Sequence, residues 1–371
     1  MRILHCLRAP VGGLFRHVLD LAAEQARRGH DVGIAADSTA EDRLTATRFA
    51  ALAPALKLGL LRTPMSRQPG LGDYAAAQTV TAHARPLRLD VLHGHGAKGG
   101  VYARLAARQL NRQGQSVKAF YTPHGGSLNF KPGTLESRAL LGIERVLERF
   151  TTGLIFESAY AARVYAERVR KGGVPQRIIP NGVQPDDFIP AQQAPDATDI
   201  LFIGELRPIK GIDLLLDAIA CLQTQRPVTA TIVGAGPDGE KLKAKTAALG
   251  LNDRVRFMGA LPARQAFGLG RIMVVPSLAE SFPYVVLEAA AAGLPLISTS
   301  VGGISEIVEG TDTELIEAGS TPALVSALNA VLGDPEAAQA RASRLRANVE
   351  AKFTVAGMTS AILGFYALTA R

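Results

Sequence analysis

The amino-terminal stretch MRILHCLRAPVGGLFRHVLDLAAEQARRG, Met1–Gly29, carries three signals in a fixed order. An apolar run, Ile3–Leu7, reads as a buried strand. Gly12-Gly13 makes a turn. Leu14–Arg28 then places Leu14, Val18, Leu21 and Ala22 on one helical face, and Gly29 supplies a stop. The stretch ILFIGELRPIKGIDLLLDAIA, Ile200–Ala220, repeats the plan of strand, glycine-bearing turn and helix. Further strands are predicted at Asp31–Ala35, Leu56–Leu60, Asp90–His93, Lys118–Thr122, Gly153–Phe156 and Arg177–Pro180. A second series follows at Ala230–Gly234, Val255–Met258, Ile272–Val275 and Leu296–Thr299. Strands alternating with helical patterns imply parallel sheets covered on both faces, that is, an α/β fold with two doubly wound domains.

Between the two series, Gln184–Asp199 carries Pro185, Pro190 and Pro195 with little periodicity, as a linker does. A chain of 371 residues also exceeds what one core usually accommodates. The reading is therefore a first domain over 1–183 and a second over 184–354. A final apolar helix at about 355–371, beginning with Val355–Leu368, packs back on a domain. Apolar residues at 47 % and charged residues at 20 % exclude a disordered chain. Cys6 and Cys221 read as two buried, reduced thiols, which fits a reducing compartment. Met1 leads directly into a strand, so no signal peptide is expected. The most apolar segment, Tyr284–Val301, is broken by Glu288, Gly293 and Pro295, which argues against a membrane span.

The net charge of +8 is unevenly divided. Residues 1–183 hold 26 lysines and arginines against 13 acids, whereas the remainder holds 15 against 20. A basic first half calls for an anionic partner, either an acceptor or an anionic membrane surface. No nucleic-acid-binding motif accompanies the charge, so nucleic acid is not expected.

In open α/β sheets, ligands bind beyond the carboxyl ends of strands. Five segments fall there. Gly12-Gly13 opens the first helix. Gly204-Glu205-Leu206-Arg207-Pro208-Ile209-Lys210-Gly211 sets two cations between a strand end and a helix start, an arrangement suited to a diphosphate. Gly234-Ala235-Gly236-Pro237-Asp238-Gly239 matches the dinucleotide pattern G-x-G-x-x-G. The next predicted strand nevertheless ends in Gly259, without the acid a nicotinamide site requires. In Glu280-Ser281-Phe282-Pro283-Tyr284-Val285-Val286-Leu287-Glu288, Ser281 is a candidate N-cap and Pro283 fits a first turn. The two acids would then lie roughly 10 Å apart along the helix and bracket a pyrophosphate. Finally, His93 and His95 flank Gly94, and His124 precedes Gly125-Gly126. His124 and His95 are candidates on the acceptor side, together with Gly12 and Gly13. No cysteine joins these histidines, so no metal site is expected there. The sequence also lacks an Asp-x-Asp pair. A leaving diphosphate would then be stabilised by Arg207, Lys210 and helix N-termini.

At these residues the chain resembles glycosyltransferase family 4, the retaining enzymes of glycosyl transferases group 1 with the GT-B fold, in which two Rossmann-like domains face each other across a cleft. The resemblance is carried by Gly12-Gly13, Tyr121-Thr122-Pro123-His124-Gly125, Ile179-Pro180-Asn181-Gly182-Val183, the Gly204–Gly211 segment, Gly234-x-Gly236-Pro237, and Glu280 to Glu288. The last looks like the family's E-x7-E signature and is followed by Gly302-Gly303 and Glu306. The resemblance implies that Glu288 binds the donor ribose, Glu280 the transferred sugar, and Arg207 and Lys210 the diphosphate. It implies that backbone at Gly204, Gly234, Ser281, Phe282 and Pro283 lines the donor and that Met258 faces the base. It places His124 near the reacting centre and Gly13 near acceptor and phosphates, with a final helix that crosses back to the first domain. Many members have an arginine directly after the glycine at position 204, where this chain has Glu205.

These readings converge on a retaining glycosyltransferase that moves a hexose from a UDP- or GDP-sugar to a lipid-linked or cell-envelope saccharide. The expected location is the cytoplasm or the inner face of its membrane, with no metal or other cofactor. The resemblance implies front-face attack, with the leaving phosphate taking the acceptor proton. An NAD-type oxidoreductase, a non-catalytic nucleotide-sugar-binding module and a sugar-nucleotide epimerase remain alternatives at this point.

Overall fold

The computed structural model describes residues 1–39, 43–68, 70–125, 134–169, 173–223 and 226–368. It divides into two compact units, Met1–Gly182 with Val355–Arg371, and Val183–Thr354.

The first unit is built on β1 (Arg2–Leu7), β2 (Asp31–Asp37), β3 (Leu60–Thr63), β4 (Val91–His95), β5 (Lys118–Thr122), β6 (Gly153–Phe156) and β7 (Gln176–Ile178). Their order across the sheet is β3-β2-β1-β4-β5-β6-β7, and every pairing is parallel. Alternation along β1 sends Leu4 and Cys6 to one face and Ile3, His5 and Leu7 to the other. Leu4 and Cys6 pack under Ala76, Val80, Tyr102 and Ala106 of helices Leu71–Ala84 and Gly96–Arg112. On the opposite face, Ile3, Val91, Phe120 and Ile155 pack against Leu21 of helix Gly12–Arg27 and against Val355, Met358, Ile362 and Phe365. The terminal helix Val355–Leu368 thus completes the first unit's core, and residues 369–371 lie outside the described residues.

The second unit carries β8 (Thr198–Ile203), β9 (Ala230–Val233), β10 (Val255–Phe257), β11 (Gly270–Val275), β12 (Leu296–Thr299) and β13 (Leu315–Ile316), ordered β10-β9-β8-β11-β12-β13 and again parallel. One face (Ile200, Phe202, Ile232, Val274) is covered by helices Ile212–Leu222 and Thr321–Gly333. The other (Leu201, Val233, Met273, Val275) is covered by Tyr284–Ala291 and Pro335–Lys352. Both sheets therefore have helices on both faces, and in each the strand order reverses beside the first strand. The α/β, doubly wound expectation is met in each unit. No helix among the described residues is long and apolar enough to cross a membrane.

Three local expectations need correction, and one strand has no counterpart among them. The predicted strand Leu56–Leu60 is a loop that leads into β3. Leu56 and Leu58 plug the core from irregular backbone, and Gly59, at φ +80°, turns the chain before the strand starts. The two-residue strand β13 was not foreseen, because a pair of residues carries no periodicity. Cys6 is buried, but Cys221 is exposed on the outward face of helix Ile212–Leu222, whose inner face is Leu215, Leu216, Ala218, Ile219 and Leu222. Finally, Ser281 does not cap a helix. The helix runs Tyr284–Ala291, with Pro283 extended at its cap position. A proline disfavours helical backbone at the residue before it, which keeps Phe282 out of the helix and denies Ser281 the cap position.

Candidate active site

In the second unit the strand order reverses between β8 and β11, which leaves a crevice beyond their carboxyl ends. The loops that follow these two strands are the Gly204–Gly211 segment, singled out from sequence, and Pro276–Pro283, whose end overlaps the Glu280–Glu288 segment singled out from sequence. The Leu278 backbone N–H donates to the Ile209 carbonyl at 2.8 Å. Lys210 Nζ donates to Glu280 Oε1 at 2.6 Å, and Ser277 Oγ donates to the same oxygen at 2.8 Å. Glu280 is 10 % exposed and Lys210 24 %, so the pair is largely withdrawn from water yet reachable. A third loop locks the second from below. Gly303 N–H donates to Ser281 O at 2.7 Å, and a Cβ on Gly302 (φ +60°) would stand 1.9 Å from the Glu280 carbonyl oxygen. Only glycine permits that approach.

Arg207 behaves differently. Its Nε lies 3.3 Å from Glu205 Oε1, with both side chains exposed. Such a pair contributes little to stability. Glu205 therefore faces the chain's own Arg207. Phe282 is buried and packs on Phe353 at 5.6 Å between ring centroids, so its side chain anchors the loop and only its backbone is available to a ligand. Glu288 is half-buried on helix Tyr284–Ala291, and Met258, just after β10, is exposed.

The G-x-G-x-x-G match has a packing explanation. A Cβ on Gly234 would stand 1.8 Å from Gly204 O, and one on Gly236 would stand 2.4 Å from Leu206 O. Leu206 N–H donates to Ala235 O, and Asp238 N–H donates to Leu206 O. The glycines let the loops after β8 and β9 touch. They sit after the sheet's second-position strand rather than at a cofactor turn.

In the first unit the same reversal, between β1 and β4, gathers five histidines. Register sets His5 beside His93, His93 beside Phe120, and His95 beside Thr122. His5 Nε2 meets Gln25 Oε1 at 2.8 Å and His5 Nδ1 meets His95 Nε2 at 3.0 Å. His95 Nδ1 meets His124 Nε2 at 3.2 Å. His93 lies between Thr122 Oγ1 (2.9 Å) and the Tyr366 hydroxyl (2.6 Å) of the terminal helix. His17 Nδ1 meets Asn181 Oδ1 at 3.0 Å, which gives the Ile179–Val183 motif a structural task. His124 adopts φ +49°, one of two non-glycine residues among those described with positive φ, and is half-buried. A side chain held in that region marks a position over-determined by its surroundings.

His95 requires a correction. It is 1 % exposed, with both ring nitrogens engaged by His5 and His124, so it stands behind His124 instead of meeting an acceptor. Gly12 and Gly13 are exposed at the start of helix Gly12–Arg27, and Gly126 lies outside the described residues. His5 and His17 were not singled out from sequence. His17 was hidden in an amphipathic helix and His5 in an apolar strand, and nothing local marks either. The same holds for the buried ion pair Arg104–Glu144 (2.8 Å), whose carboxylate also accepts from the Tyr121 hydroxyl (3.0 Å).

Burial lowers the pKa of the His5 imidazole to about 4, and holds His17, His93 and His95 well below the ordinary value; the charged neighbour that each ring would become adds to the effect in these last three. Burial also lowers His124. The cluster is thus neutral at pH 7. One ring nitrogen from each of His5, His93 and His95, and likewise from each of His17, His95 and His124, lies within 4.8 Å of the others, a spacing a transition metal ion is able to use. Sequence separation hid these groupings. A cavity of about 610 Å³ in the second unit lies elsewhere, between Pro190–Ala191, Ala292–Pro295 and helix Pro335–Lys352. It opens near the amino ends of β11 and β12, the wrong end of the sheet for a ligand site, and holds none of the candidate residues.

Two doubly wound units, one with a lysine–glutamate pair at its strand-order reversal and the other with a histidine cluster at its own, describe a GT-B glycosyltransferase. Residues 11–187 match the family model described as Glycosyltransferase Family 4, and residues 197–334 match Glycosyl transferases group 1. The chain belongs to this glycosyltransferase family. It is 29 % identical to the D-inositol 3-phosphate glycosyltransferase of Geodermatophilus obscurus over 90 % of this chain and 80 % of that protein. It is 28 % identical to the glycogen synthase of Mycobacterium tuberculosis over 95 % and 91 %. Among solved structures, Anabaena HepE in complex with UDP-glucose superimposes with a TM-score of 0.82 at 22 % identity, covering 99 % of this chain and 100 % of that one.

The neutral histidines set a pH dependence. His5 has a folded-state pKa of about 4 against an ordinary 6.5, so below pH 6.5 the unfolded chain binds more protons than the native one. Native stability is therefore highest above pH 6.5 and falls as the pH drops. His5 alone contributes a loss of about 2 kcal/mol between pH 7 and pH 5. Hydrogen-exchange protection of the β1 and β4 amides is expected to fall accordingly, and to fall less in His5→Gln. Equal protection at both pH values would show that the rings are not held neutral.

Proposed function

We propose that the chain is a retaining glycosyltransferase that takes a hexose from a nucleoside diphosphate sugar, UDP- or GDP-linked, without a metal cofactor. The observation that carries this reading is the Lys210–Glu280–Ser277 cluster beyond the carboxyl ends of β8 and β11. A cation held by an acid, beside the glycine turn that opens helix Ile212–Leu222, suits a diphosphate. Glu280 then accepts bonds from sugar hydroxyls, Glu288 from the ribose, and Lys210 turns part of its charge to the departing phosphate. Backbone at Gly204, Gly234, Ser281 and Pro283 lines the donor, with Met258 at the base and Arg207 as an outer cation. His124 meets a sugar hydroxyl, with Gly12 and Gly13 beside the acceptor. Transfer proceeds by alignment and electrostatic stabilisation, with the leaving phosphate accepting the acceptor proton. HepE, crystallised with UDP-glucose, supports a uridine donor.

Against the oxidoreductase alternative stand the packing roles of Gly234 and Gly236. For the acceptor, we favour a lipid-linked or envelope saccharide at the cytoplasmic face of a membrane. The support is the basic first half and the exposed Ile143 and Val146 on helix Leu135–Leu147, which also carries Arg138 and Arg145. A phosphorylated polyol is the second reading, favoured by the same positive charge and by the relative named for inositol 3-phosphate.

Lys210→Ala and Glu280→Ala are each expected to lower turnover at least about a hundredfold, roughly 2.7 kcal/mol of transition-state stabilisation, in a donor-panel transfer assay read by mass spectrometry. Near-wild-type turnover in either variant refutes the assigned roles. In liposome co-sedimentation the chain should prefer anionic over neutral vesicles. Equal binding to both, with transfer to inositol phosphate, would favour the second acceptor.

A further inference from the structure

The five-histidine cluster contains an ordered series of single hydrogen bonds whose direction is set at one end. Gln25, fully buried on helix Gly12–Arg27, presents its carbonyl oxygen to His5 Nε2 at 2.8 Å. A carbonyl oxygen only accepts, so His5 Nε2 carries the proton and donates. A neutral imidazole has one N–H, which leaves a lone pair on His5 Nδ1. That lone pair faces His95 Nε2 at 3.0 Å, so His95 Nε2 donates and His95 Nδ1 is left with a lone pair. His95 Nδ1 in turn faces His124 Nε2 at 3.2 Å, so His124 donates from Nε2. The remaining nitrogen, His124 Nδ1, therefore carries a lone pair and no proton.

We propose that Gln25, His5 and His95 are positioning residues that fix His124 in its Nε2–H tautomer, so that its Nδ1 is available only as a hydrogen-bond acceptor for a sugar hydroxyl. The inference deepens the reading that His124 meets a sugar, and its functional half rests on that reading; the tautomer does not. The cluster keeps the series neutral, which it needs, because a protonated ring would donate from both nitrogens and reverse the order. The hydrogen bonds of His17 Nδ1 and of both His93 nitrogens run to partners outside this series, Asn181 for His17 and Thr122 and Tyr366 for His93. His124 reaches the end of the series because its left-handed backbone, φ +49°, turns the chain directly after β5.

This ordering also separates the proposal from a metal site. A metal held by His5, His93 and His95 would need a lone pair on one nitrogen of each ring, and His95 Nε2, 3.0 Å from His5 Nδ1, carries a proton in this series and cannot serve as that ligand. The two arrangements exclude each other at that atom.

The test is long-range proton–nitrogen correlation NMR on the full chain with 15N-labelled histidine, which reads each ring's tautomer independently of catalysis. His5, His95 and His124 are expected to be Nε2–H at pH 7. Gln25→Leu removes the acceptor at the origin, and His124 should then average between tautomers, with turnover falling about tenfold at unchanged donor KM. His5→Gln offers one acceptor and one donor in place of the two ring nitrogens, and should keep both the His124 tautomer and most of the turnover. The proposal is overturned if wild-type His124 is Nδ1–H, if Gln25→Leu leaves its spectrum unchanged, or if one equivalent of zinc shifts the His5, His93 and His95 resonances together. If the tautomers are as stated but His124→Ala transfers sugar at the wild-type rate, the positioning series stands and the role of His124 in transfer falls.

Discussion

One contact organises the second unit's chemistry: the ion pair between Lys210 and Glu280, which joins the loops after β8 and β11. Each residue's loop also has determinants of its own. The first loop is shaped by glycines and by its packing on the loop after β9, and the second by Pro283, buried Phe282 and the tight approach of Gly302. What the pair adds is a cation and an acid held about one hydrogen bond apart, partly dehydrated, at the point where a doubly wound sheet leaves room for a ligand. A partly buried pair of this kind is costly to break one-sidedly, because the surviving charge loses its partner. On the proposed reading, a diphosphate sugar would resolve that problem by offering the lysine an anion and the glutamate hydroxyl groups together.

The first unit uses the equivalent point in its own sheet for a different purpose. There the dominant constraint is burial of imidazoles that the surroundings keep uncharged. Each ring has one proton to place, and each placement decides the next. The result is a set of nitrogens with assigned directions, assembled from residues as distant in sequence as Gln25 and His124, with Tyr366 of the terminal helix closing the far side. The terminal helix is therefore part of this unit's polar interior as well as its apolar core.

Much of this was legible in the sequence, and the physical reason differs from element to element. Buried parallel strands read clearly because both faces are apolar, as in Ile3–Leu7 and Ile200–Gly204. The loops that bear Lys210 and Glu280 read clearly because glycine, proline and charge coincide at a strand end. Leu56–Leu60 misled because leucines that plug a core from a loop look the same as leucines in a strand. Ser281 misled because its side chain suits a cap, whereas Pro283 disfavours helical backbone at Phe282, the residue before it. His5, His17 and Gln25 were illegible because their meaning arises only when strand register and helix packing bring them within 3 Å of partners up to 164 positions away. No local pattern encodes such a meeting.

On the proposed reading, an activated sugar binds beyond β8 and β11 with its diphosphate at Lys210. A crystal structure with a non-hydrolysable UDP- or GDP-hexose measures this most directly. Phosphate oxygens are expected within hydrogen-bond distance of Lys210 Nζ, with the hexose hydroxyls on Glu280 and the ribose on Glu288. Nucleotide seated instead in the cavity beside Ala292–Pro295, with Lys210 still on Glu280 and no phosphate oxygen in reach of it, would contradict that reading.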